Sequence, residues 1–290
     1  MKPLTTLIIA ALWSAHGYGQ TDTLAKPAAT DSAATKSSLT LGVVYANNAN
    51  SYGQRAQENI PYIAGGATYR FRSGIYLSGL AFKILNDTSA FVSATNLGAG
   101  INFKLGKKWS ADLNYSHTFY PQYSPFLQAS SPDNAAVALI YENWLTAKLN
   151  VDYAFGQSSD IFVTAAIGKA INLGSITAKD VLTITPEFNV VGGTQHFYQT
   201  YISEKKLRDS LLGVLLSPIT GTPPTESSTT TTTTTTTFNL ISYNLKFPIA
   251  YSRANYMFEI EYQLAVLSNK AQTGAGQANS FFNASFYYQF

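Results

Sequence analysis

The chain contains no cysteine. That excludes a disulfide framework and cysteine-ligated metal or iron–sulfur sites. It also excludes a lipoprotein, which needs a cysteine at its cleavage point. Charge is scarce: Asp, Glu, Lys and Arg make up 12% of the residues, against about 25% in a typical soluble domain. The net charge is +3, and no basic cluster of the kind that tracks nucleic acid is present. Beyond the N-terminus no stretch approaches the roughly 18 uninterrupted apolar residues of a membrane helix. Aromatic residues, in contrast, are abundant, with 19 Tyr and 17 Phe among 290 residues. Few charges and many aromatics suggest a surface that faces something other than water. Without a helical span, the remaining structure that satisfies its backbone in lipid is a closed β-barrel.

The N-terminus reads as a secretory signal over residues 1–19. Met1 and Lys2 form a short positive start, Leu4 to Trp13 an apolar stretch, and Gly17 and Gly19 are spaced for cleavage before Gln20. The apolar stretch is too short for a membrane anchor. Residues 20–38 are rich in Ala, Thr and Ser and read as a flexible periplasmic leader with nothing to order a core.

From Leu39 onward the sequence has a period of two. Tyr256, Phe258, Ile260, Tyr262, Leu264 and Val266 alternate with Met257, Glu259, Glu261, Gln263 and Ala265. Side chains of a strand point alternately to opposite faces, so this is a two-faced strand. It is longer than the usual globular strand and matches the roughly 9 to 11 residues of a tilted membrane strand. Ile241 to Tyr251 repeats the pattern. With Ser252–Asn255 as the connecting turn, Lys246 falls opposite Glu261, a favourable cross-strand pair.

Twelve strands are expected, near 39–47, 60–71, 75–85, 90–105, 109–120, 138–155, 161–172, 181–191, 195–203, 238–251, 256–268 and 280–290. The number is even, as in bacterial single-chain barrels. Segment 195–203 is included partly because parity requires it; ten strands is the alternative. Short turns fall at Arg72–Gly74, Gly106–Lys108, Gly156–Asp160, Gly192–Thr194 and Ser252–Asn255, and most other connections are longer. Short periplasmic turns opposite long outer loops are what such barrels have, and this arrangement places both termini in the periplasm. The longest loop, about 204–237, carries leucines at near-helical spacing over 205–216 and then an unbroken run of Thr from 229 to 237. Its first part reads either as a short amphipathic helix over or into the pore, or as a loop packed on itself.

The chain ends Phe281-Phe282-Asn283-Ala284-Ser285-Phe286-Tyr287-Tyr288-Gln289-Phe290. This closing strand resembles the β-signal of Gram-negative outer-membrane barrel proteins. The resemblance implies an all-β fold, a transmembrane antiparallel up-and-down β-barrel, over residues 39–290. It also implies outer-membrane lipid as surroundings and the barrel assembly machinery as the partner that reads Phe286, Tyr288 and Phe290. It names no member with a known substrate.

Signs of catalysis are few. Of His16, His117 and His196, the first leaves with the signal. Neither remaining His has a metal-binding context, and no metal or cofactor is expected. Outer-membrane phospholipases, which the chain resembles in size and strand number, need a Ser activated by a His. Ser116 and His117 are adjacent on a strand and point to opposite faces, so His117 reads as an outer-rim residue; His196, near a presumed periplasmic turn, reads as structural. Glu259 and Glu261 have a spacing that suits glycoside hydrolysis, but read better as part of a charge network with Lys246, Lys148, Lys104 and Arg70. No enzyme is expected. The expected function is a narrow, porin-like channel or facilitator for small solutes, lined by Lys104, Lys148, Asp152, Glu187, Lys246, Glu259 and Glu261. The alternative is a non-conducting structural or binding barrel that acts through its outer loops, and a lipid-acting enzyme is the third reading.

Overall fold

The computed structural model describes residues 36–56, 58–87, 91–121, 125–127, 129–196, 237–271 and 274–290. The signal segment, nearly all of the leader, and the leucine-rich and most of the threonine-rich parts of the long loop lie outside them.

The wall is one antiparallel sheet closed on itself. In chain order its strands are β1 (Ser38–Ala46), β2 (Tyr62–Arg70), β3 (Ile75–Ile84), β4 (Ala94–Lys104), β5 (Trp109–Phe119), β6 (Asp133–Glu142), β7 (Thr146–Phe155), β8 (Asp160–Gly168), β9 (Ile171–Gly174), β10 (Asp180–Ile184), β11 (Glu187–Gly193), β12 (Asn239–Arg253), β13 (Tyr256–Leu267) and β14 (Ala278–Gln289). Each wall strand pairs with its sequence neighbour, β1 pairs with β14, and β11 pairs with both β8 and β12. β9 and β10 continue β8 and β11 past a break at Pro186, forming a hairpin of which β10 pairs with β12. A proline has no N–H to give to the ladder, so the break falls there. Counted around the ring, the barrel has twelve strands.

Alternation decides which side chains go inward. On β13, Phe258, Ile260 and Tyr262 are exposed on the outer face, while Glu259, Gln263 and Ala265 are buried. Asn96, Asp112, Asn150, Asn189 and Asn244 are likewise buried, while Leu41, Leu77, Leu97, Leu149, Ile167 and Leu245 lie exposed outside. A soluble protein has the opposite arrangement. Each outward Leu or Ile gains roughly 1.5–3 kcal/mol on leaving water for an apolar phase. Trp109 and Tyr141 pair across β5 and β6, as do Tyr256 and Tyr288 across β13 and β14, at one end of the apolar band. Tyr45, Phe119, Tyr243 and Phe282 mark the other end.

The count of twelve agrees with the sequence, but two segments within it differ. Residues 138–155 form two strands, β6 and β7, joined by a turn in which Asn143 N–H donates to the Leu145 carbonyl. Odd-numbered positions face outward on both strands, so the chain turns without interrupting the alternation. In 195–203, Gln195 and His196 belong to no strand, and 197–203 lies outside the described residues. The second hairpin correction concerns register. Arg253 pairs with Tyr256 around a two-residue turn in which Ala254 has φ 47°, so Lys246 faces Gln263, and Pro248 faces Glu261. On its other side Lys246 faces Glu187 of β11.

Short turns follow β2, β4, β6, β9 and β12, and together they define one rim. Ser38 pairs with Arg70, and Phe290 N–H donates to the Leu39 carbonyl, so both ends of the wall sit at this short-turn rim. Two connections change sides relative to expectation. Gly156–Asp160 joins β7 to β8 at the long-loop rim, and Gly192 and Gly193 end β11 there. The wall is tight at Gly66, where a Cβ would run into the Gly79 carbonyl of the neighbouring strand.

Candidate functional site: the barrel interior and its inward loop

The loop 47–61, between β1 and β2, folds into the barrel instead of away from it. Ser51, Tyr52 and Gln54 are buried in its interior, and so are Ala49, Ala56 and Ile60. The base of the loop is fastened by Asn47 N–H to the Phe282 carbonyl (3.0 Å) and by Ile60 N–H to Asn48 Oδ1 (2.9 Å). Its tip is a tight turn. Ser51 and Gln54 exchange backbone hydrogen bonds of 2.8 and 2.9 Å, with Tyr52 at φ 54° and Gly53 at φ 85°. Both central residues having positive φ is the mark of a type I′ turn, which favours Gly and Asn.

The wall receives this tip with uncharged groups. The Tyr52 ring stacks on Phe162 of β8, with centroids 3.7 Å apart. Ser242 Oγ donates to the Tyr52 carbonyl (2.7 Å), and Asn279 Nδ2 donates to the Gly53 carbonyl (2.9 Å). Around the tip an apolar cluster fills the long-loop end of the barrel, including Val44, Phe82, Phe126, Leu127 and Ile241. Phe126 lies in the connection between β5 and β6, where burial pushes the Tyr120 phenol up to about 12.

Polar side chains run from the tip to a buried ion pair. Gly53 N–H donates to Asn50 Oδ1, Asn50 Nδ2 to Gln263 Oε1, Gln263 Nε2 to Asn244 Oδ1, and Asn244 Nδ2 to Asn189 Oδ1, all at 2.8–2.9 Å. Asn189 Nδ2 then donates to Glu187 Oε1 at 3.5 Å. Glu187 Oε2 accepts from Lys148 Nζ at 2.9 Å, both side chains being almost wholly buried. An ionised carboxylate accepts and cannot donate. Glu187, which only accepts, orients the chain from one end, and the Gly53 N–H, which only donates, orients it from the other; Asn244 Nδ2 donates to Ser242 Oγ as well. The ion pair itself crosses a strand, since Lys148 is on β7, Glu187 on β11, and β8 lies between them.

The residues singled out from sequence fall as follows. Lys148, Glu187, Lys246, Asp152 and Glu259 are buried, Glu261 is half-buried and accepts from Asn283 Nδ2 at 3.3 Å, and Lys104 is exposed at the short-turn end of β4. Asp152 accepts from Asn150. The structure thus joins Lys148 to Glu187, a pairing the sequence reading did not identify, and puts Lys104 at the rim. A second polar group holds Asp112, which accepts from Tyr76 Oη at 2.9 Å and from Asn114 Nδ2 at 3.0 Å. The inward loop was the largest feature missed. The Tyr52-Gly53 pair within a run of Asn and Ser was its one sequence signal.

Ser116 neighbours Gly98 and Ser78 on the inner face. His117 is on the outer face, its Nδ1 2.7 Å from Asp133 Oδ1. His196 sits at the long-loop rim, not beside a short turn, and its N–H donates to Asp160 Oδ1 at 2.7 Å. Among the described residues no group of three His, Cys, Asp or Glu is placed to hold a metal ion.

No protein family and no curated protein matches this sequence. Solved barrels resemble the fold. The KdgM porin is 10% identical with a TM-score of 0.45, over 87% of this chain and 99% of its own. The NanC porin is 9% identical with a TM-score of 0.43, over 86% and 98%. LpxR from Salmonella typhimurium is 8% identical with a TM-score of 0.45, over 87% and 99%. Likeness this distant reaches no residue of the interior.

Proposed function

We propose that this chain is a narrow outer-membrane channel for small solutes, held closed by loop 47–61. The observation that carries this reading is the loop itself, a polar turn seated by hydrogen bonds inside a barrel with a polar inner wall. A permanently filled barrel needs no such device, since side chains alone can fill a small one. Lys148, Asp152, Glu187, Lys246, Glu259 and Glu261 line the proposed path, with Lys104 at its mouth. The outer membrane is supported by the apolar outer band, its aromatic margins and the aromatic final strand. The short-turn rim, with both ends of the wall, is assigned to the periplasm. The chain is assigned no catalytic role.

The test is single-channel conductance of the refolded barrel in a planar bilayer. Rare openings are expected from the intact chain, and the same from a chain lacking residues 205–236. Frequent openings after that deletion alone would transfer the plug to the long loop. The apolar cluster at the long-loop end favours a second reading, a closed barrel that works through its outer loops. Silence from the intact chain and from loop 47–61 variants, with folding confirmed, would favour it.

Phe286, Tyr288 and Phe290 are proposed as the strand read during assembly. Phe290→Ala is expected to reduce the inserted fraction in cells several-fold while leaving refolding into detergent unchanged, as followed by heat-modifiable gel mobility. Equal insertion would remove Phe290 from that role.

A further inference from the structure

The wall meets the loop tip with placed polar groups and one aromatic surface. Three neutral side chains from three strands, Ser242 of β12, Gln263 of β13 and Asn279 of β14, hydrogen-bond to residues 50–53, and Asn244 Oδ1 lies beside Gly53. Two of them donate to peptide carbonyls, those of Tyr52 and Gly53. Phe162 adds a flat surface for one ring. A few placed polar groups beside an aromatic wall are the usual make-up of a small-molecule site. The side chains that donate to the tip are neutral, the Lys148–Glu187 pair is three amide side chains away, and Lys246 faces Gln263 across the β12–β13 pair.

From this we infer that the loop tip occupies a solute site, and that the solute is a short uncharged peptide with an aromatic side chain. The loop is its resident stand-in: the Tyr52 and Gly53 carbonyls represent the solute's backbone, and the Tyr52 ring represents its side chain. The inference rests on the channel reading, because a solute reaches the site only after the loop has left it. The solute and the loop therefore compete for one set of donors. Loop departure exposes the site, and solute occupancy holds the loop out.

The probe is the acetylated, amidated tetrapeptide Asn-Ser-Tyr-Gly, titrated by calorimetry into the full refolded barrel. Gly53→Val unseats the tip, because Gly53 has φ +85° and a Cβ there would lie 2.8 Å from Ser242 Oγ and 2.9 Å from Asn244 Oδ1. Where that variant keeps its tip seated, a chain with residues 49–56 replaced by a glycine linker takes its place. The peptide is expected to bind the unseated barrel at least ten-fold more tightly than the intact one. Adding Asn279→Ala or Phe162→Leu is expected to cost at least ten-fold of that affinity, and tetraglycine is expected not to bind. No binding to either loop variant would overturn the inference. Binding indifferent to Asn279 and Phe162 would also overturn it, as would displacement of the peptide by a neutral disaccharide at equal concentration. Calorimetry does not depend on conduction, so the two proposals fail separately. Peptide binding without conductance would sink the channel alone, and conductance without peptide binding would sink this inference alone.

Discussion

Gly53→Val is expected to open the barrel, raising its open probability at least about ten-fold in a planar bilayer. Gly53 sits at φ +85°, where a residue with a Cβ carries about 1–2 kcal/mol of strain. The new side chain also overlaps Ser242 and Asn244 on the wall. Every 1.4 kcal/mol taken from the seated state shifts the population about ten-fold. Opposing departure are the Tyr52–Phe162 stack, worth about 0.5–1.5 kcal/mol, and a handful of hydrogen bonds at roughly 1 kcal/mol each. The strain alone is about one such step, so one substitution shifts the population by about ten-fold without having to cancel every contact that seats the tip. A second readout comes from chemistry the chain lacks. With no native cysteine, Ser51→Cys provides a single thiol. It should label slowly while the tip is buried and at least ten times faster when combined with Gly53→Val. Equal labelling rates and unchanged conductance would show that the loop is fixed and the channel reading mistaken.

How much of this was legible in the sequence follows from the range of the forces involved. Alternation is local, and it correctly assigned the faces of β13 and, from Ser242 onward, of β12; Ile241, expected outside, is buried in the interior cluster where the β11–β12 register shifts. It could not show the turn at Asn143, because outward parity runs unbroken from Val137 to Tyr153 through it. Nor could it set the β12–β13 register, since Ala254 takes a left-handed conformation that its side chain does not advertise. The inward loop was out of reach for a different reason. Its contacts join Tyr52 to Ser242 across 190 positions and Gly53 to Asn279 across 226. Only closure of the ring brings those strands beside β1 and β2. Leucines at helical spacing drew attention instead to residues 205–216, which the described part of the structure does not include. The Lys148–Glu187 pair was hidden likewise. Both residues were readable as inward-facing, but their meeting depends on how strongly the strands between them are staggered.

That pair supports the second large prediction, which separates stability from gating. Lys148→Met takes from the buried Glu187 carboxylate the ammonium that bonds it at 2.9 Å, leaving Lys246 opposite it across the β11–β12 pair. Removing one member of a buried pair costs about 3–5 kcal/mol, so the urea midpoint of the refolded barrel should fall accordingly. Lys148→Met with Glu187→Leu removes both charges of the pair, and part of that loss should be recovered, with Lys246 left facing the new apolar side chain. The amide chain, however, would then have lost its terminal acceptor, with the Gly53 N–H and Ser242 still orienting Asn50 and Asn244. Asn189 would be free to turn, because a side-chain amide offers a donor at one end and an acceptor at the other, and the link from Asn244 to Asn189 would be loosened. The double variant is therefore expected to be more stable than Lys148→Met alone, yet to label faster at Ser51→Cys and to open more often than the parent. If stability and labelling recover together, the relay is only a set of satisfied hydrogen bonds. If stability recovers and labelling does not, the ion pair holds the loop through four amide side chains, and its burial serves the seated state more than the fold.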